Sequence, residues 1–549
     1  MIAGLASAGA QDFVSPRLKS LHADWQAARV DLPARSPGEK EEPLDVLNGA
    51  LAERFPGIAT SPVPVLLPFD TAAYLRDRAA AAAKAADAYL GGFAPSGFFL
   101  AGPTGYDAVF SVRAGSGEFT DISFAEPIFV EISGFAATYD LPPPAAASET
   151  PARGLDGYPG IRRVILESYL RYSFERYGIR YVVAIQCYDA PPRARRLACR
   201  QADKVAVKLL QSLRLAGGNA DAAPKSFAAM PVARPQGQSP DFTFYGPGRL
   251  IPNTGMKNHD GVADYTVYAP IRYPLLNAPS YANSQSFMNW GDCDQTGRAP
   301  SPHGRKNAQY RCRVNFKPLV FNEGARENYD YPWRDNFCEH RFFFVGQCGS
   351  GYGHQGQDIR PAACRLKNDG ADRCIPYLDD VVAVMDGMVL RAPKQQAALI
   401  VVNDDHERIR FRYMHMNPNQ LDEDAILSGR RVRQGEVIGK VGNYNHRENG
   451  TTYHLHFEAM VPTEDGWVRV NPYATLIVAY EHLIGGRGRE LKEEPPAEQA
   501  APSAPAEPQK SADAARTKKP VHGRRARGAF EHSLNAARHQ HRRKQASAE

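Results

Sequence analysis

Three short stretches carry residue types that bind metal ions. "TYHLHFEAM" holds His454, His456 and Glu458 at a spacing of two, "GHQGQDIRP" holds His354 and Asp358 with glycines that let the backbone turn between them, and "RIRFRYMHM" ends in His415. Side chains at i and i+2 of a β-strand point to one face. His454, His456 and Glu458 therefore share one side of a strand, and Tyr453, Leu455 and Phe457 form the opposite, core side. By the same alternation Ile409, Phe411, Tyr413 and His415 share a face. Imidazole nitrogen and carboxylate oxygen bind zinc near ~2.0–2.2 Å, and three protein ligands plus a water make a catalytic zinc site. Such an ion acts as a Lewis acid and lowers the pKa of its water toward ~7. The spacing does not say which of His454 and His456 is the ligand.

The elements that must position these residues follow Cys374. "DVVAVMDGMVL", "AALIVVND", "RIRFRYMHM", "EVIGKVGN", "TYHLHFEAMV" and "GWVRV" are brief strands divided by turns, the pattern of an all-β antiparallel domain. Upstream, residues 46–218 read as an α+β region. It has strands at "VPVLLPF", "YDAVFSVRA" and "RYVVAIQCY", and helices at "AAYLRDRAAAAAKAADAYL" and "CRQADKVAVKLLQSLRLAGG". No catalytic constellation falls in that half, so a spacer, a recognition module or a lid are the roles open to it. Residues 1–45 read as an N-terminal extension, 219–259 as a Pro/Gly/Ala-rich linker, 260–345 as an irregular disulfide-bearing segment, 346–485 as the β-rich metal domain and 486–549 as a disordered basic tail.

At 549 residues the chain exceeds one ordinary core, so it is multi-domain. The net charge of +6 is local: residues 516–544 hold ten Lys/Arg against Glu531, leaving 56 basic and 59 acidic residues elsewhere. The folded part is not a general nucleic-acid binder, and the tail suits contact with anionic envelope polymers. Eight cysteines fall in neighbouring couples, Cys187/Cys199, Cys293/Cys312, Cys338/Cys348 and Cys364/Cys374, with no C-x-x-C. That pattern predicts disulfides and an oxidising compartment, periplasmic or secreted. The start "MIAGLASAGAQDF" lacks a basic n-region, although its small residues before Gln11 resemble the end of a cleaved signal. No run approaches the ~18 apolar residues of a transmembrane segment.

The order "GHQGQD", "VVAVMDGMV", "YMHM", "VRQGEVIGKVGN", "HLHFE", "VNPY" resembles the lysostaphin/LytM-type zinc metallopeptidases, which cut peptide cross-bridges of bacterial peptidoglycan. The resemblance covers about residues 345–480. It implies His354, Asp358 and His456 as Zn2+ ligands, with His454 and His415 as unbound histidines facing the metal's water and the scissile carbonyl. "NHRENGT" stands where that family has a compact Gly/Ser turn, which makes His446 a candidate at the groove edge. The expectation is a zinc endopeptidase acting on peptidoglycan stem peptides. The alternative is a non-catalytic envelope-binding module that regulates another wall hydrolase. No H-E-x-x-H or G-x-S-x-G is present, since "HERIR" ends in Arg410, and "CGSGYG" lacks the Lys-Ser/Thr of a phosphate loop.

Overall fold

The computed structural model describes residues 12–492, except 36–39, 116–118, 120–121, 123, 126, 143–149, 167–168, 188–196, 223–227, 251–260, 283–292, 301–305, 315–316, 319–331, 340–342, 344, 346, 350 and 362–375. The signal-like start, the basic tail from 493, Cys364, Cys374 and the side chains of Cys293 and Cys312 lie outside the described residues.

An antiparallel sheet is built first, from β1 (Ala94–Gly102), β2 (Gly105–Val112), β3 (Ile128–Phe135), β4 (Arg162–Leu166), β5 (Tyr169–Arg176) and β6 (Ile179–Gln186), in the order β1-β2-β3-β6-β5-β4. Strand alternation gives it two different buried faces. Tyr106, Ala108, Phe110 and Val112 join Val130 and Ile132 in a core with α1 (Cys199–Ser212). Asp107, Val109 and Glu131 point the other way. Helix α1 buries Ala202, Val205, Ala206, Leu209 and Leu210, and the Cys187–Cys199 disulfide staples its start to the end of β6.

Two helices are shorter than the sequence predicts. Helix α1 stops at Ser212, because Leu213 turns extended and Arg214–Gly217 pairs with Val65–Leu67. Of the stretch 72–90 read as one helix, only the first part is α-helical, in a helix that runs Thr71–Ala79. The alanine run that follows has propensity but no apolar face to bury. Instead Ala81 takes φ +53°, and the chain folds back until the Tyr89 hydroxyl donates to Asp77 at 2.9 Å.

The second sheet contains β7 (Ser280–Ala282), β8 (Gln357–Pro361), β9 (Gly387–Leu390), β10 (Ala398–Asn403), β11 (Arg408–Met414), β12 (Arg431–Val432), β13 (Leu455–Thr463) and β14 (Gly466–Val470). Its order is β7-β8-β13-β11-β10-β9-β12, with β14 beside β13, all antiparallel. Ile409, Phe411, Tyr413, Tyr453, Leu455 and Phe457 form its core face, covered by α2 (Tyr473–Ile484). This helix corrects the all-β reading of the domain. It is apolar almost all round, so no 3.6-residue stripe marks it in the sequence.

The opposite face of this sheet receives the first one. Phe98, Leu100 and Val109 pack on Met388, Leu390 and Val401, and Phe135 and Val182 on Met460 and Trp467. Between these apolar patches lies a buried ionic layer. Arg408 meets Asp107 at 2.7 Å, and Arg410 meets Asp107 at 3.1 Å and Glu131 at 3.0 Å while lying over the Trp467 ring. Residues 238–245, within the segment read as a linker, form a strand that runs parallel to Arg487–Leu491. Among the described residues no helix is long and apolar enough to cross a membrane.

Candidate metal centre

Strand β13 sets the frame of the site. Its alternation, carried back into the two residues that lead into it, buries Tyr453, Leu455 and Phe457 in the core and turns His454, His456 and Glu458 to the other face. Strand β8 pairs with it so that Asp358 stands opposite His456. That approach requires glycine at 356, where a Cβ would lie 2.1 Å from the Phe457 carbonyl oxygen. Gly353 is equally constrained, since a Cβ there would lie 2.6 Å from the Cys338 Cα. The glycines of "GHQGQD" thus let two backbones come close enough to bring His354 and Asp358 to β13.

The donor atoms converge. Asp358 Oδ1 lies 3.2 Å from His354 Nε2, 3.0 Å from His456 Nδ1 and 3.3 Å from His454 Nε2, and the first two nitrogens are 3.0 Å apart. Asp358 is fully buried, and His354 and His456 are 3% and 6% exposed.

Outer partners fix the tautomers. His354 Nδ1 sits 2.8 Å from the Asn336 carbonyl oxygen, and His456 Nε2 sits 3.1 Å from Glu458 Oε1. A carbonyl or carboxylate oxygen can only accept, so each of those ring nitrogens carries the proton. The nitrogens turned inward, His354 Nε2 and His456 Nδ1, are then lone pairs facing each other and a carboxylate oxygen. Three acceptors at 3.0–3.2 Å repel unless a positive charge lies among them. Burial lowers the pKa of His456, but Asp358 and Glu458 outweigh it and raise the value above that of an ordinary histidine, so the pocket favours positive charge. Donors ~2.0–2.2 Å from a tetrahedral zinc stand about 3.3–3.6 Å apart, which these atoms reach with shifts of a few tenths of an ångström. His354, Asp358 and His456 fit the ion.

His415 lies one residue beyond β11. Continued alternation would send it to the core with Tyr413, as the sequence pattern implies. Its backbone instead adopts φ +71°, which turns the ring to the metal face, 4.7 Å from the His454 ring centroid. Its Nδ1 lies 2.8 Å from the Tyr444 carbonyl oxygen, and His454 Nδ1 lies 2.8 Å from that of Thr452. Both rings therefore present an unprotonated Nε2 to the site. Burial and the neighbouring His454 and His456 hold the His415 pKa well below the usual histidine value, keeping that ring neutral. His446 stands apart, exposed in the 445–450 turn.

Residues 367–472 match the family model described as peptidase family M23. The chain carries an M23 peptidase domain. The matched span contains His415, His454 and His456; His354 and Asp358 precede it and join through the pairing of β8 with β13. Two solved structures are similar to this chain. One is described as a glycyl-glycine endopeptidase LytM from Ruminococcus gnavus ATCC 29149, at 22% identity, covering 26% of this chain and 53% of that one, with TM-score 0.18. The other is the antimicrobial peptidase lysostaphin from Staphylococcus simulans, at 20% identity, covering 30% and 58%, with TM-score 0.17. The chain thus spans little more than half of each. No curated protein matches it.

Around this candidate site several residues have roles that sequence spacing did not reveal. Asn336 accepts from His354 Nδ1 through its carbonyl and from the Asp358 amide through Oδ1 at 3.1 Å. The Cys338–Cys348 disulfide secures that segment, and the Cys338 and His354 amides donate to the His354 and Glu339 carbonyls. Glu458 is held by Arg469 at 2.6 Å and Arg412 at 3.3 Å. Its place two residues after His456 was visible in the sequence. Asn336, in a stretch read as irregular, left no such signal.

Proposed function

We propose that this chain is a zinc-dependent endopeptidase that hydrolyses peptide cross-links of bacterial peptidoglycan. His354, Asp358 and His456 hold the ion, and His415 and His454 handle protons. The observation that carries this reading is the set of inward lone pairs on residues 354, 358 and 456, fixed by Asn336 and Glu458, within an M23 domain. Zinc bound there supplies a Lewis acid and an acidified water. His454 Nε2, with its Nδ1 proton committed to Thr452, can take a proton as the carbonyl is attacked and return it to the leaving amine. His415, neutral and anchored on Tyr444, presents an Nε2 lone pair that can accept a hydrogen bond from the attacking water.

The two disulfides support work outside the cytoplasm, in the periplasm or after secretion. We further propose that residues 346–485 make up the peptidase unit, that 46–218 wall one end of its cleft, and that the basic tail contacts anionic envelope polymers. The test is release of muropeptides from purified sacculi. Wild type should release new peptide-cleaved fragments and His354→Ala none; equal release by both would overturn the reading. Binding of sacculi without cleavage would favour a non-catalytic envelope module.

A further inference from the structure

Strand β11 carries four residues of one face away from the metal: Met414, Arg412, Arg410 and Arg408, with Met414 opposite His456 and Arg412 opposite Glu458. Arg408 and Arg410 are closed over by Asp107 and Glu131 of the first sheet, their side chains 0% and 5% exposed. Arg412 is different, with its side chain 31% exposed and one oxygen of Glu458, at 3.3 Å, as its ion-pair contact. His456 Nε2 touches that same oxygen, so the guanidinium is one carboxylate away from the metal centre. Glu458 must also balance Arg469, which grips its other oxygen at 2.6 Å. One buried carboxylate therefore faces two arginines, and of the two Arg412 is the one with its side chain partly open to solvent.

The first sheet packs on β11 just past this point, where Asp107 and Glu131 pair with Arg410. Tyr169, at the start of β5, stands among the charges of Glu131, Arg412 and Arg410. A substrate arm running along the sheet from the metal passes Met414, reaches Arg412 after about one strand repeat of ~6.6 Å, and then meets the wall.

We propose that Arg412 is a specificity-determining residue that binds a free carboxylate of the substrate within about two residues of the scissile bond. The enzyme would then cut acidic, unamidated stem peptides in preference to neutral bridges. This rests on the hydrolase reading above. A guanidinium is suited to the task, because its planar fork matches a carboxylate with two parallel hydrogen bonds.

The experiment uses two cross-linked muropeptides that are identical except that the carboxylate beside the scissile bond is free in one and amidated in the other. Their kcat/KM values are compared for the full-length zinc-loaded wild type, Arg412→Met and Arg412→Lys. Wild type should favour the free carboxylate roughly ten- to a hundredfold, the worth of one charged hydrogen-bond pair. That ratio should fall to within about threefold in Arg412→Met and lie between in Arg412→Lys. Equal cleavage of both substrates by wild type, or a ratio kept by Arg412→Met, overturns this inference alone. Cleavage of neither by wild type overturns the hydrolase reading and this inference with it.

Discussion

Glu458→Gln separates two functions of one buried carboxylate. Its Oε1 accepts from His456 Nε2 and Arg412, and its Oε2 from Arg469. The amide preserves shape and can still accept from His456, but it removes the negative charge that makes His456 a stronger donor to a metal. Losing such an outer partner costs about ten- to a hundredfold in metal affinity. It also takes the charge from one side of a buried ion pair with Arg469, whose side chain is 5% exposed, a break worth about 3–5 kcal/mol. Unfolding of about 480 residues carries an entropy near ~1 kcal/mol/K, so the metal-free protein should melt about 3–5 °C lower. A chelator-competition titration gives the zinc dissociation constant, and differential scanning calorimetry of the apo protein gives the melting shift. A dissociation constant within twofold of wild type would refute the assigned role of Glu458, whatever the melting temperature does.

Arg410→Met removes the bridge to Asp107 and Glu131, leaving Glu131 buried without its partner. We expect a loss of about 3–5 kcal/mol and a melting temperature about 3–5 °C lower; a change under about 1 °C would mean that the ionic layer does not join the sheets. Replacing Cys338 and Cys348 by alanine opens a ten-residue separation, worth about 3 kcal/mol by loop entropy. Because that segment carries Asn336, zinc affinity should fall as well, and an unaltered affinity by chelator competition would contradict the linkage. Burial and the hydrogen-bonded Asp404 raise the Glu407 pKa to about 8, against 4.5 in the unfolded chain. The folded state then binds more protons between those values, so this residue costs stability as pH rises from about 5 to 8. Glu407→Gln should gain on wild type over that interval by an amount on the order of a few kcal/mol, seen as a flatter dependence of melting temperature on pH; parallel curves would refute it.

The site was legible where chemistry follows a short period. His454, His456 and Glu458 declare their common face through the two-residue repeat of β13, and Asp358 and His354 through glycines with a steric reason to be there. His415 was found as a residue, but not how it arrives, because a left-handed φ in a histidine leaves no mark in a one-residue pattern. Asn336 acts through its backbone carbonyl and one side-chain oxygen, and its contacts with residues 354 and 358 arise only on folding. The docking of the sheets was hidden for a related reason. Arg408, Arg410 and Arg412 alternate with apolar residues as a solvent-facing edge would, and the carboxylates that bury two of them belong to distant strands. Helix α2 escaped because burial on every side erases the periodicity by which a helix is read.

The most direct test of the account is the zinc stoichiometry of the purified full-length chain, by inductively coupled plasma mass spectrometry, for wild type, His354→Ala, Asp358→Ala and His456→Ala. One ion per wild-type chain and far less in each variant is the predicted result. A full equivalent of zinc retained by all three variants, or none bound by wild type, would contradict it.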